Sequence, residues 1–328
     1  MLLIYNRETN PAYNLAAEEY VLTEKCEDIV MLWRNSDSVI IGCNQNAIEE
    51  MNLDYIKEND ITVIRRLTGG GAVFHDLGNV NFTFIKSNDE KLFNDYSGFT
   101  APVREYLESL GVKCELSGRN DITIEGAKIS GNAQTVKHGR IMHHGTLLFS
   151  SNMGKLSGAL KVREIKAESR GIKSYRSRVT NISEHLSEKM GVEDFLEGLY
   201  EWFSKNVPDA ERYEFSEEDR RAIERLVDEK YGLWEWNFGN SPKYNYRNMK
   251  KYPFGVVEIY IETENATVTG INIKGDFFGV RDICELENGL VGTAHSYEKI
   301  LEKARELCVG SYISGMTEEE FARLATEQ

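Results

Sequence analysis

The sequence predicts an α+β fold, with one large mixed unit followed by a small one. Three observations carry this. Segments with apolar residues at helical spacing are interleaved with short segments in which apolar and polar residues alternate. The Glu125-Gly126 pair joins two alternating segments as a tight hairpin. The polar, aromatic stretch from Trp236 to Lys251 then separates the first part from a second set of strands and helices.

The elements follow in order. A helix opens at Asn10-Pro11 and puts Ala12, Leu15, Ala16, Glu19 and Leu22 on one face. Val39-Ile40-Ile41-Gly42 and Thr62-Val63-Ile64 read as short buried strands, with one helix between them from Ile48 to Lys57. Asn81 to Ile85 alternates and reads as a half-buried strand, with Phe82 and Phe84 inward. Phe99, Val103, Tyr106, Leu107 and Leu110 form a helical stripe that Gly111 ends. The hairpin runs from Ile122 and Ile124 through the turn to Ala127-Lys128-Ile129-Ser130, and Thr146 to Phe149 is a further strand. Val192 to Phe203 is helical, and Ser216 with Glu217, Glu218 and Asp219 caps another helix that Gly232 terminates. Trp236 to Lys251 reads as a linker or an extended cover strand. Beyond it come two or three strands (Val257 to Ile261, Ile271 to Ile273) and two helices, the last opened by the Thr317-Glu320 capping box. The boundary falls near 245, giving domains 1–245 and 246–328.

Bulk properties narrow the function. The chain has 328 residues, 41% of them hydrophobic and 28% charged, enough for a sizeable soluble core. A formal net charge of −14 argues against duplex DNA or an anionic membrane surface as partner, because both attract basic proteins. No apolar run is long enough to span a bilayer, and the first residues lack the pattern of a signal peptide. The five cysteines, Cys26, Cys43, Cys114, Cys284 and Cys308, are scattered with no C-x-x-C pair, so neither a zinc cage nor a disulfide framework is implied. Their odd number fits a reducing compartment, and the expected location is the cytoplasm.

The chemistry concentrates between Arg65 and Asn79. Three consecutive glycines, Gly69-Gly70-Gly71, cost chain entropy and let backbone N–H groups approach an anion closely. Arg65 and Arg66 precede them, and guanidinium groups match carboxylates and phosphates. A plain surface loop is the alternative. The run is neither a Walker loop nor a dinucleotide fingerprint. A second stretch, Ser117 to Asp121 and Gly126 to Gln134, puts Lys128 on a strand two residues past the turn, among small residues that let a ligand lie close; a solvated surface charge is the alternative. Asp121 is an acid that suits Mg²⁺ held through a phosphate. A third, His143-His144-Gly145-Thr146, invites a metal reading. Adjacent strand residues point to opposite faces, so the two histidines cannot share one ion without distortion. A fourth, Gly171 to Asn181, is a basic loop able to cover a nucleotide; an ordinary exposed loop is the alternative.

Taken together and in this order, Arg65 to Asn79, Ser117 to Asp121, Gly126 to Ala133, His143 to Leu147 and Ser174 to Asn181 resemble the lipoate–protein ligase family. Flanking pieces agree, among them Asn14 to Glu19, Leu32 to Asn35 and Ile41 to Asn46. The resemblance covers residues 1 to about 235, with a weaker match of the C-terminal part to the accessory domain of two-domain members. It implies a mixed sheet flanked by helices, similar to class II aminoacyl-tRNA synthetases and biotin ligases, plus a small α+β accessory domain. It implies ATP and Mg²⁺, with lipoate as substrate and lipoyl-carrier domains as partners: the E2 subunits of 2-oxoacid dehydrogenases and the glycine-cleavage H protein. Lys128 would be the catalytic residue, touching both lipoate and nucleotide. Arg66, Gly71, Ala72, Val73, Phe74 and Arg178 would bind ATP. Trp33, Arg65, Gly70 and His75 would bind lipoate, and Asp121 would hold Mg²⁺. Lys173 to Thr180 would cover the adenylate, and the C-terminal domain would swing between activation and transfer. The rivals are an ATP-independent octanoyl or lipoyl transferase, which needs a nucleophilic cysteine for which Cys114 is the nearest candidate, and a catalytically silent binder of lipoyl domains.

Overall fold

The computed structural model describes residues 1–87, 92–118, 120–160, 179–238, 246–264 and 266–326. The N-terminal part runs β1 (Leu2–Tyr5), α1 (Pro11–Glu24), β2 (Ile29–Trp33), β3 (Ser38–Ile41), α2 (Ala47–Glu50), α3 (Leu53–Glu58), β4 (Thr62–Arg65), β5 (Val73–His75), β6 (Asn79–Ser87) and α4 (Tyr96–Ser109). It continues through β7 (Glu115–Ser117), β8 (Asp121–Ile124), β9 (Ala127–Lys137), β10 (Arg140–Leu148), α5 (Met153–Ala159), α6 (Val192–Asn206), β11 (Glu211–Tyr213), α7 (Glu217–Leu226) and α8 (Trp234–Asn237). Eight strands form one sheet in the order β11-β1-β2-β6-β10-β9-β8-β7, parallel from β11 to β2 and antiparallel beyond. A small mixed sheet, β4-β3-β5, lies apart from it.

The layers follow from which side chains are apolar. One face of the large sheet buries Leu3, Leu32, Val80, Phe82 and Phe84 against α4 and α6. This is the back face. The front face packs Ile4, Ile29, Met31 and Trp33 against α1 and against Ile40 and Ile64 of the small sheet. The far side of the small sheet holds Val39, Ile41, Val63 and Phe74 against α3 and α5. Helix α1 starts where Asn10 accepts from the N–H groups of Ala12 (2.9 Å) and Tyr13 (3.3 Å), with Pro11 preset for the first turn.

Three expectations change. The Asn81–Ile85 segment is part of a central strand buried on both faces, because α1 and the small sheet cover the side that its polar residues face. The single helix over 48–57 is two, broken at Met51 where Asn52 caps the second by accepting from Tyr55 N–H. The 236–251 stretch contributes the end of α8 and, from Tyr246, a true strand.

The C-terminal part comprises an antiparallel sheet of β12 (Tyr246–Tyr252), β13 (Gly255–Glu264) and β14 (Thr267–Gly275), with α9 (Ile283–Leu290), α10 (Tyr297–Leu307) and α11 (Glu318–Thr326) packed on it. Sequence reading expected two helices. The third, α9, is only eight residues long and carries Gly289, which blurs its stripe. This part has its own core, including Ile259, Phe277, Leu286, Ile300 and Phe321. It docks on the N-terminal part through two backbone bonds: Gly70 N–H donates to Phe277 O (3.3 Å) and Gly275 N–H to Asn44 O (2.9 Å). Among the described residues no helix is long and apolar enough to cross a membrane.

Candidate active site

Lys128 is aimed by a β-bulge. On an even strand, residues three apart face opposite ways. Lys128 and Gly131 are three apart, yet the Lys128 ammonium lies 2.8 Å from the point where a Cβ on Gly131 would sit. The register explains it: Ser130 pairs with Ile122 and Lys128 with Thr123, which leaves Ile129 as an extra residue in β9. The turn into β9 needs left-handed backbone at Glu125 (φ 51°) and Gly126 (φ 79°). The ammonium meets the Asp121 carboxylate at 2.8 Å, and the two side chains are 36% and 35% exposed, open enough to be reached by a ligand.

Gly131 N–H donates to Thr146 Oγ1, and cross-strand pairing carries the front face onward to His144 and Thr83. There the glycine loop arrives. Thr68 Oγ1 sits 2.8 Å from His144 Nε2, while His144 Nδ1 and Thr83 Oγ1 both meet Glu18 Oε1, at 2.9 and 2.6 Å. His144 and Thr146 are two residues apart on one strand, about 7 Å. The loop and the lysine thus flank the same patch of sheet. Between them the floor is polar and unsatisfied. Asn79 Nδ2 donates to Asn81 Oδ1, leaving Asn79 Oδ1 and Asn81 Nδ2 buried without partners. His75 Nδ1 takes the bond from Asn35 Nδ2 (3.2 Å), and His75 Nε2 is likewise buried and bare. Burial, helped by the charge of Arg66, pushes His75 down to about 3, so it is neutral. Buried polar atoms normally find partners, so a cluster without them marks a place where a polar ligand completes the bonding.

Each expected site residue but Arg178 has a definite place. Arg65 donates to the carbonyls of Gly42, Cys43, Gln45, Trp236 and Asn237, so its guanidinium braces the loop end against α8. Arg66 bonds Thr68 Oγ1 and the carbonyls of Ile40, Gly69 and Gly71, curling the glycine loop around itself. Burial lowers both to about 10, and both stay charged at neutral pH. Gly69 and Gly70 are covered by the C-terminal part: a Cβ on Gly69 would lie 2.3 Å from Phe277 O, and one on Gly70 3.0 Å from the Phe278 ring. Gly71 is open. Ala72 and Val73 are half-buried, whereas the Phe74 side chain belongs to the core. β5 is an edge of its sheet, so what it offers a ligand is unpaired main chain. Trp33 packs edge-on to His75 at 6.2 Å and donates to Thr83 Oγ1. Arg178 and most of the 173–180 segment lie outside the described residues; Thr180 N–H, at its end, donates to Lys128 O.

Sequence reading did not single out Glu18, Thr83, Asn79 and Asn81 as candidate site residues, and took His144 only as a rejected metal ligand. Polar residues at every second position of Asn79-Val80-Asn81-Phe82-Thr83, directly after the glycine loop, were the available signal. His143 and His144 do face opposite sides of β10, His143 toward Phe99 and His144 toward Glu18. Among the described residues no group of three or more His, Cys, Asp or Glu is arranged to hold a metal. Cys114 packs toward the back-face core, where burial lifts its thiol to about 11.

Comparison with known proteins agrees with this geometry. Residues 10–204 match the lipoyl protein ligase A/B catalytic domain, and residues 241–324 match the bacterial lipoate protein ligase C-terminus. The chain is 44% identical to lipoate-protein ligase LplJ of Bacillus subtilis, covering 99% of each, and 42% identical to lipoate–protein ligase 1 of Staphylococcus aureus, covering 97% and 98%. Among solved structures, Plasmodium falciparum LipL1 in complex with lipoate superposes with a TM-score of 0.77 at 28% identity, over 93% of this chain and 94% of that one. A bipartite archaeal ligase from Thermoplasma acidophilum, described with its E2 lipoyl domain, gives 0.65 at 31% identity over 74% and 98%. A lipoate-protein ligase A bound with ATP gives 0.63 at 30% identity over 72% and 98%. With both parts matched and near-complete coverage of its relatives, this chain belongs to the lipoate–protein ligase family.

Proposed function

We propose that the chain joins lipoate to the α-phosphate of ATP and then transfers the lipoyl group to a lysine of a lipoyl-carrier domain. The observation that carries this reading is the polar, unsatisfied floor between the glycine loop and Lys128. A free carboxylate is a poor acyl donor at neutral pH. In the first step a lipoate carboxylate oxygen attacks the α-phosphorus and pyrophosphate leaves. In the second, a neutral acceptor amine attacks the acyl carbon, AMP leaves, and the amine's proton passes to solvent. Lys128 meets the charge that builds between carboxylate and phosphate, and an ammonium fixed in a preorganised site does so without reorganisation. Gly71, Ala72, Val73 and Phe74 offer main-chain groups to the nucleotide, and Arg178 belongs to the segment that covers it. Trp33, Gly70 and His75 line the lipoyl slot. With most of their donors committed to carbonyls and the Thr68 hydroxyl, Arg65 and Arg66 serve these sites through charge and through the shape they give the loop.

Asp121 is the residue that would hold Mg²⁺. A single accessible carboxylate beside a phosphate site suits a cation commonly held by one or two carboxylates plus phosphate oxygens. Held by Asp121, such an ion would supply charge neutralisation at the phosphates. Residues 1–245 act as the catalytic unit and 246–328 as the accessory unit, which must leave the glycine loop during the cycle. The acceptors are carrier domains of 2-oxoacid dehydrogenase E2 subunits and of the glycine-cleavage H protein, met in the cytoplasm.

The test is lipoate-dependent exchange of labelled pyrophosphate into ATP in the presence of Mg²⁺. The ligase reading expects exchange. A cysteine-dependent transferase or a silent binder gives none, and absence of exchange from folded protein overturns the proposal.

A further inference from the structure

Behind the sheet, opposite the proposed active site, lies a chain of hydrogen bonds that the reaction as described does not use. It begins at Asn94, whose N–H donates to Gln134 Oε1 (2.7 Å). Gln134 Nε2 donates to His143 Nδ1 (3.0 Å), which leaves His143 Nε2–H to donate to Asn132 Oδ1 (3.2 Å). Asn132 Nδ2 in turn donates to Asn120 O (3.0 Å), the Asn132 N–H donates to the same carbonyl, and Asn120 Nδ2 donates back to Asn132 O. Every donor and acceptor has one direction. Asn120 immediately precedes Asp121, the partner of Lys128.

The imidazole at the centre is built in. It is fully buried, stacked on Phe99 at 4.8 Å and 7°, with the Phe82 ring 6.1 Å away. Gly145 leaves the space that Asn132 needs, since a Cβ there would lie 2.2 Å from Asn132 Oδ1. Two aromatic rings would pack equally well around a phenyl group, so packing alone does not call for histidine. What histidine adds is a donor and an acceptor on opposite edges of one ring.

We propose that His143 is a positioning residue: through Asn132 and Asn120 it fixes the Asp121 carboxylate opposite Lys128. It touches neither substrate nor metal. Asp121 opens β8, whose pairing with Ser117 and Gly131 places its backbone, and Asn120 just before it is held by Asn132; a displacement of about 1 Å in a reacting constellation costs up to ~10²-fold in rate.

This inference rests on the proposed roles of Asp121 and Lys128, and the test separates the two. It compares wild type, His143→Phe, Asp121→Asn and the double variant by kcat for lipoate-dependent pyrophosphate exchange, with lipoate affinity measured by calorimetry. His143→Phe is expected to lower kcat about 10- to 100-fold while lipoate affinity and far-ultraviolet circular dichroism are retained. Acting through Asp121, it should add nothing once Asp121 is gone, so the double variant should equal Asp121→Asn. Multiplicative losses, or an unchanged kcat in His143→Phe, overturn the positioning role and leave the site reading intact. An unchanged kcat in Asp121→Asn overturns the assigned role of Asp121 and the relay with it. If His143→Phe does not fold, Asn132→Ala cuts the same chain one link later, with the same expectations.

Discussion

Phe278 offers a measurable handle on how the two parts of the chain meet. It is 3% exposed, yet it is absent from the core of the C-terminal part, to which its neighbour Phe277 belongs. Its ring lies over Gly70 and tilts against Tyr96 at 6.5 Å, both in the N-terminal part. Replacing it by alanine therefore removes docking energy and little folding energy. Full burial of a phenylalanine side chain is worth about 1.5–3 kcal/mol, which corresponds to a loss of about 10- to 150-fold in the docking equilibrium constant. The Gly70 N–H reports the change directly, since its acceptor in the docked state is Phe277 O. Hydrogen exchange read on the peptide spanning 66–74 should accelerate by that factor in Phe278→Ala, with the core of the C-terminal part still protected. Unchanged protection of that peptide, in a variant whose C-terminal part stays folded, refutes the argument that Phe278 holds the two parts together.

Other perturbations follow from the same geometry. Lys128→Ala should cut pyrophosphate exchange by about 10²–10³ and leave thermal unfolding nearly unchanged, because a half-exposed ion pair is worth at most about 1 kcal/mol; normal exchange would remove Lys128 from the mechanism. Cys114→Ser should retain full exchange and full transfer to a carrier domain, and a large loss would revive the thioester route. Burial alone would raise the Asp219 carboxyl, but hydrogen bonds from Lys25, Tyr20 and Tyr213 hold it well below the usual carboxylate range. A depressed folded-state value means stability that is present above the unfolded value of about 3.9 and lost as pH falls. The wild type should thus lose stability as the solution is acidified below about pH 4. Asp219→Asn should lose about 3 kcal/mol at neutral pH and show a flatter acid limb in denaturant titrations. An equally steep limb in that variant would mean other carboxylates dominate.

What could be read from sequence was what is local. The hairpin turn at Glu125-Gly126, the helix start at Asn10-Pro11 and the capping box at Thr317 each depend on a few neighbouring residues, and they stand as expected. The floor of the site left a signal in its alternating polar residues, but that signal is ambiguous, because its character is set by what folds over it. Asn79, Asn81 and Thr83 alternate with apolar residues as a solvent-facing edge would, and only α1 and the small sheet turn that edge inward. Glu18 meets His144 across 126 positions of chain, a pairing that no window reveals. The arginines show a different limit. Their residue type suggests anion binding, but only coordinates show most of their donors engaged by main-chain carbonyls and the Thr68 hydroxyl.

The extra residue in β9 makes the site a matter of parity. Ile129 faces the helix-packed side with Ile122 and Ile124, and its presence returns Lys128 to the opposite side. A deletion of one position there would keep the hairpin turn, the strand propensities and nearly all of the composition. It would nevertheless deliver an ammonium group into an apolar interior and remove the Lys128 cation from the front of the sheet beside Gly131. Chimeras spliced between relatives within β8 and β9 must therefore preserve the number of residues from 122 to 131 before they preserve any identity within it.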